Sequence, residues 1–411
     1  MDRVIVLVDY YLAAKFFVRM AKSDPDREYV FIANSLASHV FIGREGFSSI
    51  LLSKFFRACK NNKKTFEDLV GTREVALGIM RPEQALMYLR KVLLAIDELL
   101  LSGKKNYLLT WNGSNVLGRA MRIAKGHYDN VETLFFELAN VKGKVFADPK
   151  GVNADSSLYE SPQLLDSLSY SDIEFERFKK KFKDEKLRSI SIPPQVVSAK
   201  KIKLYKVLDY IYFMTIGYCS LANTSFFNRL LLSFNNRVDR RLERLGCETG
   251  EILDKEKQSF AFKDGFIFFP MQVSTDTQVV LNSDYDNYQV IDYLVQTEKL
   301  PIVIKPHPYE CETKKILNVL RKYKGRVFFS NENTYKLIDR SEYVVTINST
   351  VGMEAMLFGK KVKFMGRTFF SHFDHKRLAS YLMRYLISVD FFDDDKFVSK
   401  EVMREVYGRD F

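Results

Sequence analysis

The chain has 411 residues, more than one ordinary domain holds, and 46% of them are hydrophobic, enough for two separate cores. Lys and Arg number 63 against 51 Asp and Glu, a net charge of +12 that favours an anionic partner: nucleic acid, an anionic membrane surface or a phosphorylated substrate. The excess is spread along the chain with no nucleic-acid-binding motif, which sets a nucleic-acid role aside. Cys59, Cys219, Cys247 and Cys311 form no CxxC pair and show no zinc spacing, so reduced thiols of a cytoplasmic protein are expected.

In chain order, residues 3–8 (RVIVLV) read as a strand, with an apolar run too short for a signal peptide and Asp9 directly after it. Residues 11–22 read as a helix and 29–34 as a second strand. Residues 82–101 carry apolar side chains at helical spacing and predict a long amphipathic helix. YLLTWNG (107–113) predicts a strand ending in a polar turn, followed by a helix to about Gly126, and VETLFFE (131–137) is another strand. This alternation predicts a doubly wound parallel sheet.

From about 165 to 250 the texture changes. Glu174 to Arg188 predicts a charged, Lys-rich helix, Lys200 to Lys206 is basic, and Tyr210 to Asn228 carries no formal charge. That run is near the length needed to span a membrane. Its polar interruptions and the adjoining Asp209 instead suit a buried aromatic helix, or one lying on a membrane surface.

Strand–helix alternation returns at GFIFFP (265–270), with further strands at 301–305, 326–330, 343–347 and 362–366, and helices at 286–297, 313–323, 333–341 and 351–358. The expected fold is α/β and GT-B-like: two Rossmann-like domains facing a central cleft. The first would cover residues 1–250 with a helical insertion near 165–250, and the second residues 251–411.

Candidate residues cluster at strand ends. Tyr343 to Ile347 is an apolar strand, Asn348, Ser349 and Thr350 break it, and a helix stopping at Gly359 follows. Strand, polar turn and helix N-terminus make an anion site, and Glu354 in the first turn or so reaches toward a ribose hydroxyl. Asp276 sits on the polar loop PMQVSTDTQ (270–278), as an exposed carboxylate able to act or as a turn or helix cap. His307 in KPHP (305–308) is held by flanking prolines and, with Lys305, suits a phosphate or carboxylate; a structural histidine is the other reading. Glu137 ends its strand beside the neighbouring strand end Trp111, Asn112 and Gly113. DPKGVNADSS (148–157), with Asn153, floors the same region or is an ordinary surface loop. His372, Asp374 and His375 lack a fourth metal ligand, and DDD at 393–395 reads as a surface charge run, so no metal is expected.

WNG (111–113), FFELAN (135–140), DPKGVNADSS (148–157), FFPMQVSTDTQV (268–279), KPHP (305–308) and NSTVGMEAMLFGKKV (348–362) occur in that order. Together they resemble the bacterial capsule polysaccharide biosynthesis and export family, whose members include β-Kdo transferases that build a linker on a phospholipid. The likeness is to the single-module enzyme that starts the oligo-Kdo chain. The family often has a Gly-Pro-type turn after the first strand, where Asp9, Tyr10 and Tyr11 stand here.

The resemblance implies a retaining transfer from CMP-β-Kdo to an anionic phospholipid or lyso-phospholipid of the phosphatidylglycerol type. The enzyme would be cytoplasmic, peripheral on the inner face of the bacterial membrane and in company with other capsule proteins. By motif, Asp276 is the nucleophile, Glu137 the general base, and His307 with Lys305 binds phosphate or the Kdo carboxylate. Ser349 and Thr350 hold the CMP phosphate, Glu354 the ribose, and Trp111, Asn112, Gly113, Asn153 and Gln272 contact substrate. Two carboxylates are the working pair of retaining sugar transfer. A single phosphate can be stabilised by a helix N-terminus, His and Lys without a metal. Another nucleotide sugar, a saccharide acceptor, or a non-catalytic role in capsule export are the alternatives.

Overall fold

The computed structural model describes residues 1–56, 71–139, 141–188, 204–212, 252–253, 265–310, 312–393 and 398–408. All four cysteines, residues 200–203 and most of the uncharged 210–228 run lie outside the described residues. Two compact units are present, each assembled from more than one stretch of the chain rather than divided once at 250/251. The first unit is Met1–Leu164 with Ser198–Ser233 and Arg384–Phe411; the second is Leu165–Val197 with Phe234–Met383.

In the first unit the chain runs β1 (Arg3–Val8), α1 (Tyr11–Lys22), β2 (Glu28–Ala33), α2 (Leu36–Arg44), β3 (Ser48–Leu51), α3 (Arg73–Ala76), α4 (Pro82–Leu99), β4 (Asn106–Trp111), α5 (Val116–His127), β5 (Val131–Leu138), β6 (Val145–Asp148) and α6 (Ser157–Glu160). The six strands order as β3-β2-β1-β4-β5-β6. Val4 to Val8 of the central β1 are fully buried, as a continuous apolar run between two neighbouring strands demands. The strands pair in parallel except β6, which lies antiparallel to β5 with Glu137 opposite Phe146.

The end of the chain returns to this unit. Helix α15 (Lys400–Tyr407) places Tyr407 OH 2.6 Å from Tyr29 OH, and the Arg19 guanidinium donates to the Asp390, Phe391 and Asp393 carbonyls. The acidic 390–393 stretch thus contributes backbone oxygens to a buried arginine; Asp394 and Asp395 lie outside the described residues. Helix α8 (Leu204–Tyr212) is tied to α2 through Asp209, whose Oδ1 accepts from Ser35 Oγ at 2.7 Å and Ala37 N at 2.9 Å.

The second unit starts with α7 (Asp172–Arg188) and continues through β7 (Ile267–Pro270), α9 (Thr277–Asn282), α10 (Asn287–Thr297), β8 (Ile302–Lys305), α11 (Thr313–Lys322), β9 (Val327–Phe329), α12 (Thr334–Arg340), β10 (Tyr343–Thr346), α13 (Val351–Leu357), β11 (Lys361–Phe364) and α14 (His375–Ser380). Its five strands are all parallel, in the order β11-β10-β7-β8-β9. Phe268 and Phe269 of the middle strand are fully buried, each worth about 1.5–3 kcal/mol of transfer energy. Both units are therefore Rossmann-like α/β layers. No helix among the described residues is long and apolar enough to cross a membrane.

Candidate active site

In the second unit the loops after β7, β8 and β10 leave the same edge of one sheet. Hydrogen bonds lock them together. Gln272 and Asn348 exchange two bonds of 3.0 Å, Asn348 N to Gln272 Oε1 and Gln272 Nε2 to Asn348 Oδ1. Asn348 Nδ2 also donates to Gln278 O at 2.8 Å. Asn287 clasps the Gln272 backbone, accepting from its N–H at 3.0 Å and donating to its carbonyl at 2.7 Å. Gln272, Asn287 and Asn348 are all buried, so each of these polar groups needs its partner. Gln272 was expected at the substrate; its amide instead holds the turn that follows β10.

The β7 and β8 loops are tied by Glu310. This buried carboxylate accepts from Ser274 N at 2.9 Å and Glu312 N at 3.1 Å, and Ser274 Oγ lies 2.9 Å from its Oε2. The loop so fixed ends at Asp276, the N-cap of α9. Asp276 is exposed, and its Oδ1 accepts from Gln278 N at 2.7 Å. The capping reading of this residue is therefore real, and Oδ2 makes no hydrogen bond among the described residues.

Next to it, His307 Nδ1 accepts from Tyr309 N at 3.2 Å, so the neutral ring carries its proton on Nε2. Burial pushes the His307 pKa down, against the opposing pull of the Asp276 and Glu310 carboxylates. A neutral Nε2–H donor beside an exposed carboxylate suits contact with an anionic ligand oxygen. Lys305 Nζ is turned onto the Glu332 carbonyl at 2.5 Å, and burial lowers its pKa. Its ammonium thus spans the β8 and β9 strand ends.

At the third loop, Thr350 occupies the helix boundary with helical backbone angles and no side-chain cap, while Ser349 Oγ accepts from Val351 N at 3.2 Å. Gly352 sits so close beneath Phe364 that a Cβ there would lie 2.4 Å from its ring, which brings α13 tight against β11. Glu354 is 8% exposed. Its Oε1 accepts from Tyr335 OH at 3.0 Å and pairs with Lys186 Nζ at 3.2 Å.

The first unit contains a separate polar group. Glu137 Oε2 accepts from Asn153 Nδ2 at 2.9 Å, so these two sequence-predicted residues do come together. Asn153 has φ 53°, a left-handed backbone that Asn tolerates. Asp148 builds the loop that delivers it: the carboxylate is fully buried and accepts from Lys150 N, Gly151 N, Ser157 N and Tyr385 OH. Tyr10 lies near Glu137; burial raises its pKa, and the Asp9 and Glu137 charges raise it further. Burial also lifts Asp9 to about 6 and Glu74 to about 7, with Arg73 offsetting part of each.

Trp111 is corrected from substrate contact to core. Its ring packs 5.1 Å from Phe16 and 4.1 Å from Phe391, and it is 6% exposed. Gly113 is fixed by crowding: a Cβ there would lie 2.6 Å from Phe135 Cδ1, and its carbonyl takes Arg122 Nη1 at 2.9 Å. Asn112 forms the left-handed turn between them, φ 57°, its Oδ1 accepting from Ser114 N at 3.0 Å. Asp374 caps α14 through Arg377 N, and His375 faces Glu176 at 3.3 Å.

Residues 229–373, which include all three loops of the second unit, match the family model described as capsule polysaccharide biosynthesis protein. The matched segment contains Gln272, Asp276, His307, Glu310, Asn348 and Glu354. The chain is 43% identical over 109 residues to "Protein FixF" of Sinorhizobium fredii, covering 25% of this chain and 26% of that protein, so it spans about a quarter of that relative's length. Among solved structures, it is similar to Thermosulfurimonas dismutans KpsC, beta Kdo 2,7 transferase, at 16% identity and TM-score 0.39, over 78% of this chain and 90% of that one. A second KpsC structure, the beta Kdo 2,4 transferase, matches at 15% identity and TM-score 0.34, over 66% of this chain and 71% of that one.

Sequence reasoning missed Glu310, Asn287, Tyr335 and Lys186. Glu310 had a readable signal, a carboxylate three residues past His307 in a Pro-bounded loop. Lys186 had none, because it belongs to a helix whose docking depends on tertiary contacts.

Proposed function

We propose that this protein is a retaining glycosyltransferase that moves Kdo from CMP-β-Kdo to a phosphatidylglycerol-type lipid, working peripherally on the inner face of the cytoplasmic membrane in capsule linker synthesis. The observation that carries this reading is the locked edge of the second unit. There an exposed carboxylate, a neutral histidine N–H and a Ser–Thr turn share one set of hydrogen-bonded loops inside the family-matched region.

In this reading Asp276 attacks the anomeric carbon with its unengaged oxygen. The bond from that carbon to the CMP phosphate oxygen breaks, and CMP leaves with the electron pair. His307 Nε2–H and the Ser349–Thr350 turn stabilise the departing phosphate. The acceptor hydroxyl then attacks the glycosyl ester, and Glu137, oriented by Asn153, takes its proton. Asp276 is regenerated and configuration is retained. Lys305 supports the β8 loop and adds positive potential, and Glu354 addresses the ribose. The net charge of +12 suits an anionic lipid surface, where each nearby Lys or Arg is worth about 1 kcal/mol.

Thermal shift with CMP, UDP and GDP tests the donor class, because a ligand bound only by the native state raises its melting temperature. Stabilisation by CMP alone is the expected result. Stabilisation by UDP or GDP alone rejects CMP-Kdo as the donor.

A further inference from the structure

We propose that Lys186 is a positioning residue for nucleotide binding: reaching in from α7, its ammonium keeps Glu354 charged and fixed, leaving the second carboxylate oxygen to accept from ribose hydroxyls. The inference rests on reading the strand-end loops as a nucleotide site, and it adds a residue from outside the family-matched segment.

The geometry is a three-way contact. Lys186 Nζ lies 3.2 Å from Glu354 Oε1 and 2.7 Å from Tyr335 OH, and Tyr335 OH lies 3.0 Å from the same carboxylate oxygen. Glu354 and Tyr335 are both buried, and Lys186 Nζ stands 4.7 Å from the Tyr335 ring and 5.2 Å from the Phe182 ring. Among the described residues, only Oε1 of the carboxylate is engaged. Helix α7 is seated for the purpose. Phe175 and Phe182 are its buried residues, and Lys183 pairs with Asp339 of α12 at 2.7 Å beside the cluster.

The physics requires the cation. Burial alone favours the neutral carboxylic acid, and here it raises the Glu354 pKa while Lys186 and the Tyr335 hydroxyl act in the opposite direction. A protonated Glu354 would donate one hydrogen and lose acceptor capacity toward a diol. The charged group in contact with it is Lys186, with the Tyr335 hydroxyl on the same oxygen, while Lys183 on α7 and Asp339 on α12 are paired with each other.

The test is CMP affinity by calorimetry on the full chain between pH 5.5 and 8.5, with thermal melts to verify folding. Lys186→Met is expected to weaken CMP binding about tenfold at pH 7 for each pKa unit by which Glu354 rises above that pH, with affinity recovering as pH increases. Lys186→Arg is expected to restore both affinity and a flat profile. Glu354→Gln is expected to weaken binding without pH dependence, and adding Lys186→Met to it to cost little more. A folded Lys186→Met protein with wild-type affinity and pH profile overturns the proposal. If Lys186→Met does not fold, Lys186→Gln, which keeps a hydrogen-bond donor without the charge, decides in the same way. A wild-type protein that binds no CMP rejects the nucleotide reading itself, a distinct failure seen before any variant is made.

Discussion

Gln272 and Asn348 stand 76 positions apart and are bound to each other twice: the Gln272 side-chain amide donates from Nε2 to Asn348 Oδ1 and accepts at Oε1 from the Asn348 backbone N–H, both at 3.0 Å. This pair welds the loop carrying Asp276 to the turn carrying Ser349. Gln272→Ala strands the buried Asn348 N–H and Oδ1, a loss of about 1–3 kcal/mol for each group left unpaired. A lowered melting temperature and a smaller CMP-induced shift are expected together. A variant that melts earlier yet keeps the full CMP shift would show that the weld serves stability alone.

Asp276 both caps α9 and, in the proposed chemistry, attacks the sugar. Asn is as good an N-cap as Asp, whereas Ala forfeits about 1 kcal/mol. Asp276→Asn should therefore melt like wild type and Asp276→Ala slightly below it, with transfer abolished in both and CMP binding retained. Transfer by Asp276→Asn at the wild-type rate removes Asp276 from the mechanism.

Glu137→Gln leaves an amide oxygen that can still accept from Asn153, so the fold of the β5–β6 edge is preserved. Loss of a general base costs about 100- to 10,000-fold in rate. Steady-state CMP release from CMP-Kdo with acceptor should fall within that range. An unchanged rate would reassign Glu137 to structure.

Much of this architecture was readable from the chain. Val4–Val8 and Phe266–Phe269 are unbroken apolar runs and Val344–Ile347 is apolar but for the buried Thr346, and such runs mark buried parallel strands. The edge strands Ser48–Leu51 and Val145–Asp148 were not seen, because four residues carry too little periodicity and β6 runs antiparallel. Nor was the return of Lys400–Tyr407 to the first unit, which depends on Tyr407 meeting Tyr29 and on Arg19 meeting the 390–393 carbonyls. At the site, strand-end position is what singles out the polar residues, and two of them, Glu137 and Asn153, meet in a hydrogen bond. Trp111 was misread for a physical reason. A strand-end aromatic beside a polar turn looks exposed until Phe391, near the other end of the chain, covers it at 4.1 Å.

Asp9 and Glu74 give the first unit a pH dependence. Both bind protons more tightly when folded, about 6 for Asp9 and about 7 for Glu74, because burial disfavours their charge. The sign follows: their stabilisation is complete near pH 4, around the unfolded carboxyl values, and is lost as pH rises through 6 and 7. The loss is on the order of a few kcal/mol for the coupled pair. Urea unfolding of wild type against an Asp9→Asn, Glu74→Gln double variant should show the variant gaining on wild type as pH moves from 5 to 8. A constant difference over that interval contradicts the assignment.

The central claim is tested most directly by incubating the protein with CMP-Kdo and phosphatidylglycerol-type lipid and reading the lipid by mass. The account predicts a lipid heavier by one or more Kdo residues, with matching release of CMP, and no such product from Asp276→Asn. Unmodified lipid and intact CMP-Kdo, from a folded protein whose melting temperature CMP does not change, would contradict it.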